Sequence, residues 1–184
     1  MMLKQTLTQL IKLCLFKAKP QDLGYSMMVF YTFIVANLII LTYSMSNQAD
    51  LLIGFGLAII FVGVLIGYTF LLLKAFKLRE RFIQTMNAIL GANAVMMILA
   101  LVLGVILYYL MDSNIAVSFT IIFARIVMLT LFVWTLAIMI YIYKHALERN
   151  WLVAGVSAIF MLVAANLATV IILQLLTQNM PIVN

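Results

Sequence analysis

Five apolar blocks, each long enough to cross a bilayer, constrain this chain more than any other feature. They run from about Tyr25 to Tyr43, Leu51 to Leu73, Phe82 to Leu110, Ile115 to Tyr143 and Trp151 to Leu176. A hydrocarbon core is ~30 Å thick, and a helix rising ~1.5 Å per residue crosses it in about 20 residues. Only helices satisfy their own backbone over such lengths, and no strand-like alternation appears. The predicted fold class is therefore all-α, a polytopic membrane bundle of five transmembrane helices. Composition agrees: 67% of the residues are hydrophobic and 9% charged, too little polar surface to cover a soluble fold of 184 residues. A soluble enzyme, a nucleic-acid-binding domain and a disulfide-stapled secreted domain are excluded. Cys14 is the only cysteine and can form no intrachain disulfide.

The charges predict an orientation. Lys4, Lys12, Lys17 and Lys19 precede the first block, and Lys74, Lys77, Arg79 and Arg81 separate the second from the third. Lys144 and Arg149 separate the fourth from the fifth, and the remaining loops and the tail carry no lysine or arginine. By the positive-inside rule this basic surface, with the N-terminus, is cytoplasmic and the C-terminus is outside. The expected location is a bacterial inner membrane. The organisation is a cytoplasmic segment over 1–24, the five-span bundle over 25–176 and a short outside tail over 177–184. Every loop is short, so no extramembrane domain is expected to house a catalytic site.

Within 1–24, Leu3, Leu7, Leu10, Ile11, Cys14 and Ala18 recur at helical spacing, with Lys4, Gln5, Thr8, Gln9 and Lys12 elsewhere on the wheel. Pro20 ends the helix. The segment is predicted to be an amphipathic helix, either in the headgroup layer with its lysines near anionic lipid or packed beneath the bundle.

Arg125 is the one charge deep in a block. An arginine at that depth costs at least ~2.5 kcal/mol, so it is expected to face the bundle interior, an aqueous cavity or a partner protein, or to snorkel outward toward Asp112. Asn166 is expected near its level, with Asn37 and Asn93 deeper. A polar stripe opens the third block, where Asn87 and Asn93 flank Ala88, Gly91 and Ala92; small residues there permit close helix packing. Gly63 and Gly67 form a GxxxG pattern that predicts the same for the second block.

Catalytic and metal constellations are not found. His145 is the only histidine and falls in a predicted loop beside Glu148, and one cysteine with one histidine does not make a usual zinc site. No phosphate loop, nucleophile elbow or HExxH occurs, and no two carboxylates are spaced for acid–base work. No cofactor is expected. Trp151, Tyr25, Tyr43, Tyr108, Tyr109, Tyr141 and Tyr143 lie near block ends and predict an interfacial aromatic belt.

Lys19-Pro20-Gln21-Asp22-Leu23-Gly24-Tyr25 and the stretch from Arg81 to Gly91 (RFIQTMNAILG) resemble bacterial members of the Yip1-like family. Asp22-Leu23-Gly24-Tyr25 is similar to the Asp-Leu-Tyr-Gly-Pro motif of the eukaryotic relatives, without its proline. The resemblance implies a small five-span membrane protein with a cytoplasmic N-terminus. Together these features predict a non-enzymatic membrane scaffold or accessory subunit that works through contacts with membrane proteins or lipids. The alternative is a small transporter or channel subunit with a polar path near Arg125, Asn93 and Asn166. Expected partners are membrane lipids and other membrane proteins, or a second copy in a homo-oligomer, and no nucleic acid.

Overall fold

The computed structural model describes the backbone of residues 2–46, 50–112 and 117–178, and side chains over 5–46, 50–109 and 121–175. The side chains of Lys4 and Asp112, the loop residues 47–49 and 113–116, and nearly all of the tail expected over 177–184 lie outside the described residues. The described chain is all-α. Helix α1 spans Met2–Cys14, α2 Met27–Ser46, α3 Leu51–Ala75, α4 Phe82–Asp112, α5 Val117–Leu147 and α6 Trp151–Gln178. Helices α2 to α6 are each long and apolar enough to cross a membrane.

Side-chain oxygens at the helix starts accept the free N–H groups of the first turns. Ser26 Oγ accepts from Val29 N–H at 3.4 Å, Asp50 Oδ1 from Leu51 N–H at 2.9 Å and Asn150 Oδ1 from Val153 N–H at 3.2 Å. Three helices end at the basic side on a left-handed residue that is not glycine: Phe16 and Lys77 at φ 60°, and Glu148 at φ 52°. The next N–H then turns back to a carbonyl of the last turn, as in Lys17 to Lys12 (2.7 Å), Leu78 to Leu73 (2.8 Å) and Arg149 to Lys144 (3.3 Å). Because α5 continues to Leu147, Lys144 and His145 sit on its last turn and not in a loop.

The five long helices close a ring in the order α2, α3, α6, α5, α4, with α4 returning to α2. Helix α1 lies against α4. Its Leu10 fills the space that a side chain at Gly91 would take: a β-carbon there would stand 2.7 Å from Leu10 Cδ1 and 2.9 Å from Phe33 Cε2 of α2. From this seat α1 runs toward α5, where Trp134 Nε1 donates to the Cys14 carbonyl at 3.2 Å. Tyr141 Oη donates to the Phe16 carbonyl at 3.4 Å, and the Phe16 ring packs 5.5 Å from Trp134 and 5.3 Å from Tyr141. Gly91 and Trp134 are each about three helical turns from the charges at Arg81 and Lys144, so α1 seats about 15 Å along the bundle. The α4 stretch beside it is almost wholly buried, including Ala88, Gly91 and Ala92. The apolar arc of α1 divides: Leu10, Leu13 and Cys14 are buried, while Leu7, Ile11 and Leu15 remain exposed on its other side.

Gly63 and Gly67 do not mark a close helix contact. A β-carbon at either would meet nothing within 4 Å, and Gly63 is exposed. The tight approaches fall at Gly91 and at Gly54, where a β-carbon would stand 3.0 Å from the Ser46 nitrogen. Small residues allow close approach without choosing which face receives it.

Burial pushes the Cys14 thiol up to about 11 from 9.0. At neutral pH it is therefore a protonated, covered thiol, and maleimide labelling is expected to be slow. Gly91→Leu overfills the contact with Leu10 and Phe33, a change that costs about 1–3 kcal/mol. Unseating α1 in that variant should speed Cys14 labelling about fivefold or more. Equal rates in the two proteins would contradict this seat for α1.

Candidate functional site

The intramembrane polar residues divide into a closed set and an open set. Asn37, fully buried on α2, donates through Nδ2 to the carbonyls of Phe33 and Leu90, both at 2.8 Å. Its Oδ1 accepts from Asn93 Nδ2 at 2.7 Å, which ties α2 to α4. Asn87 is also fully buried; its Nδ2 donates at 3.2 Å to the carbonyl of Ser26 at the start of α2, and its Oδ1 has no hydrogen-bond partner among the described residues. These bonds run between α4 and α2 and hold the wall beneath α1. Asn166 belongs elsewhere: it is exposed on α6, its Nδ2 donates to Leu162 of its own helix, and it lines a cavity of about 310 Å³ with Ser44 and Leu57.

Arg125 is exposed on α5 and, among the described residues, makes no hydrogen bond or ion pair. It does not face the bundle interior, and neither Asn93 nor Asn166 reaches it. The cause lies in the packing of α5. Only 6% of its most apolar window is buried, against 22–33% in the other four spans. No described residue from Ile121 to Ala137 is buried, and Leu107 is the only one from Met97 to Tyr109. These halves of α4 and α5 lean on each other, with Met128 Cε 3.9 Å from a β-carbon placed at Gly104. Ile122, Arg125, Leu129 and Phe132, all exposed, form one helical stripe on α5. Exposed apolar side chains are ordinary on a membrane helix; a guanidinium among them is not.

The basic end carries a second site. Lys19, Gln21, Arg81, Lys144, Glu148 and Arg149 line a cavity of about 500 Å³. Arg81 Nη1 stands 2.7 Å from Glu148 Oε1, an ion pair whose alignment does not make a hydrogen bond. The Lys144 ammonium sits 3.9 Å over the Trp151 ring, and the Arg149 guanidinium 5.6 Å over the Phe76 ring. Gln21 Nε2 donates to the His145 carbonyl at 2.9 Å, and its Oε1 is buried without a donor among the described residues. The other described basic residues apart from Arg125, namely Lys12, Lys17, Lys74, Lys77 and Arg79, are exposed outside this cavity.

Two residues depart from their expected settings. Tyr143 is not part of the interfacial belt: it is fully buried, with Oη 2.9 Å from Thr69 Oγ1 and 3.2 Å from Met161 Sδ. His145, expected as a solvated loop residue, is half-buried, with Nδ1 2.9 Å from the Tyr141 carbonyl and its ring stacked 4.2 Å from Tyr141. Tyr25, Tyr43, Tyr108, Tyr109 and Trp151 are exposed near helix ends.

No protein-family model matches the chain, and no curated protein or solved structure is significantly similar to it.

Proposed function

We propose that this integral membrane protein is a non-enzymatic scaffold or accessory subunit, and that the exposed stripe of α5 docks a transmembrane helix of another membrane protein. One observation carries the proposal: Arg125 stands on that stripe with no partner among the described residues. A guanidinium within a span is stabilised by a carboxylate or by several carbonyls at its own depth. No Asp or Glu of this chain stands away from the span ends, so a second copy offers no matching carboxylate. A helix of another protein with an acidic residue in the corresponding half fits the charge, and Ile122, Leu129 and Phe132 supply the apolar flank.

In this proposal the basic end and the N-terminus face the cytoplasm of a bacterium and the C-terminus lies outside, as the segregation of lysine and arginine favours. Membership in the Yip1-like family is part of the same proposal and rests on the two stretches that resemble it. The transporter alternative draws no support from the geometry, because Arg125, Asn93 and Asn166 stand in three separate environments.

The test is recovery of the tagged chain from native membranes in a mild detergent. A second membrane protein in stoichiometric amount is the expected result. A lone monomer, or a homo-oligomer with no second protein, would contradict the proposal.

A further inference from the structure

We infer that the cavity at the basic end is a binding site for a phosphate anion, and that the headgroup of an anionic phospholipid supplies it. The inference does not depend on what docks at Arg125. Four cations, Lys19, Arg81, Lys144 and Arg149, surround about 500 Å³ with one carboxylate, Glu148, among them. They come from separate pieces of chain: the extended residue before the Pro20–Leu23 turn, the Arg79–Arg81 turn, the end of α5 and the α5–α6 connection. Glu148 is engaged by Arg81 alone among the described residues. Lys19, Lys144 and Arg149 are left with no ion pair among the described residues.

Three features make this more than a solvated basic face. The Trp151 and Phe76 rings hold Lys144 and Arg149 without neutralising them, since a cation over an aromatic face keeps its full charge. Arg81 is anchored through Nη1, which is buried 2.7 Å from Glu148 Oε1, while its side chain stays 25% exposed and leaves its other N–H groups for an anion. Gln21 is clamped to the His145 carbonyl, which fixes the turn bearing Lys19 against the end of α5. Lys144 and Arg149 are thus positioned before any anion arrives, and that reduces the ordering cost of binding.

The chemistry suits phosphate. A planar guanidinium and compact ammonium groups together meet several phosphate oxygens with charge-assisted hydrogen bonds. The location selects the lipid source. The cavity lies where α5 and α6 leave the apolar zone, beside Trp151, a residue type that sits at headgroup level. Basic pockets between membrane helices at this level accept anionic headgroups.

The full-length protein in detergent, titrated with phosphatidylglycerol or phosphatidylcholine and read by native mass spectrometry, tests this directly. One phosphatidylglycerol is expected to remain bound in preference to phosphatidylcholine. The double variant Lys144→Gln/Arg149→Gln should weaken that binding about 30-fold, since each cation near a lipid surface contributes comparably. Lys74→Gln/Lys77→Gln removes the same charge outside the cavity and should leave binding within about twofold. If the first pair does not fold, Lys19→Gln, on an extended exposed residue, replaces it with an expected loss of about fivefold. Equal binding of the two lipids, or equal loss in both double variants, would overturn the site. Displacement of the lipid by millimolar inorganic phosphate would overturn the lipid as its source.

Discussion

Replacing Tyr143 with alanine is expected to cost the bundle about 3–5 kcal/mol, the range for deleting a large buried aromatic. Tyr143 is fully buried where α5 meets α3 and α6. Its O–H donates to Met161 Sδ, so Thr69 Oγ1 at 2.9 Å supplies the proton of the second bond. Its ring lies edge-on to Tyr68, at 6.5 Å between centroids, and Tyr68 Oη donates in turn to the Ser157 carbonyl at 3.0 Å. One side chain thus supports both helix pairs that close this side of the ring. Tyr143→Phe keeps the volume and removes only the hydroxyl contacts; hydrogen bonds between membrane helices average ~0.6 kcal/mol, with a maximum near ~1.7. Reversible unfolding in mixed micelles measures both. Similar losses in the two variants would mean that the hydroxyl network, and not the filled volume, holds the junction.

Arg125→Leu is expected to leave the stability of the isolated bundle almost unchanged and to weaken the partner complex at least about 30-fold. The two results follow from one placement. Arg125 is exposed and makes no bond to the described residues of its own bundle, so unfolding breaks none among them. In a complex it would be desolvated against a carboxylate, and truncating one member of such a pair costs about 2–5 kcal/mol or more. Arg125→Lys should keep part of the affinity, because it retains the charge and loses the two-pronged donor geometry. Destabilisation of the isolated bundle by Arg125→Leu would mean that the arginine serves the fold.

The spans were legible because a membrane helix writes itself as a long apolar block. Their ends were less so. The fourth apolar block stops at Tyr143, whereas α5 ends at Leu147, because Lys144 and His145 are compatible with a last turn and the left-handed Glu148 makes the stop. Packing faces were legible only in part. Ala88, Gly91 and Ala92 are buried, with a tight contact at Gly91, while Gly63 and Gly67 meet no neighbour; all five are small, and the difference is Phe33 and Leu10, the latter more than 75 residues from Gly91 in sequence. Arg125 was evident as a lone charge, but its exposure follows from the sparse burial of that half of α5, which no local pattern records. The basic cavity was hidden for a similar reason: Lys19, Arg81, Lys144 and Arg149 read as segregated topology charges until the turns bring them around one space.

Photo-crosslinking in intact membranes tests the docking stripe on α5 most directly. A benzophenone side chain placed at Leu129 or Phe132, beside Arg125, is compared with one at Phe160 on the exposed face of α6. A discrete protein adduct from the two α5 positions and none from Phe160 is the predicted result. No protein adduct from either α5 position, or the same adduct from all three, would contradict it.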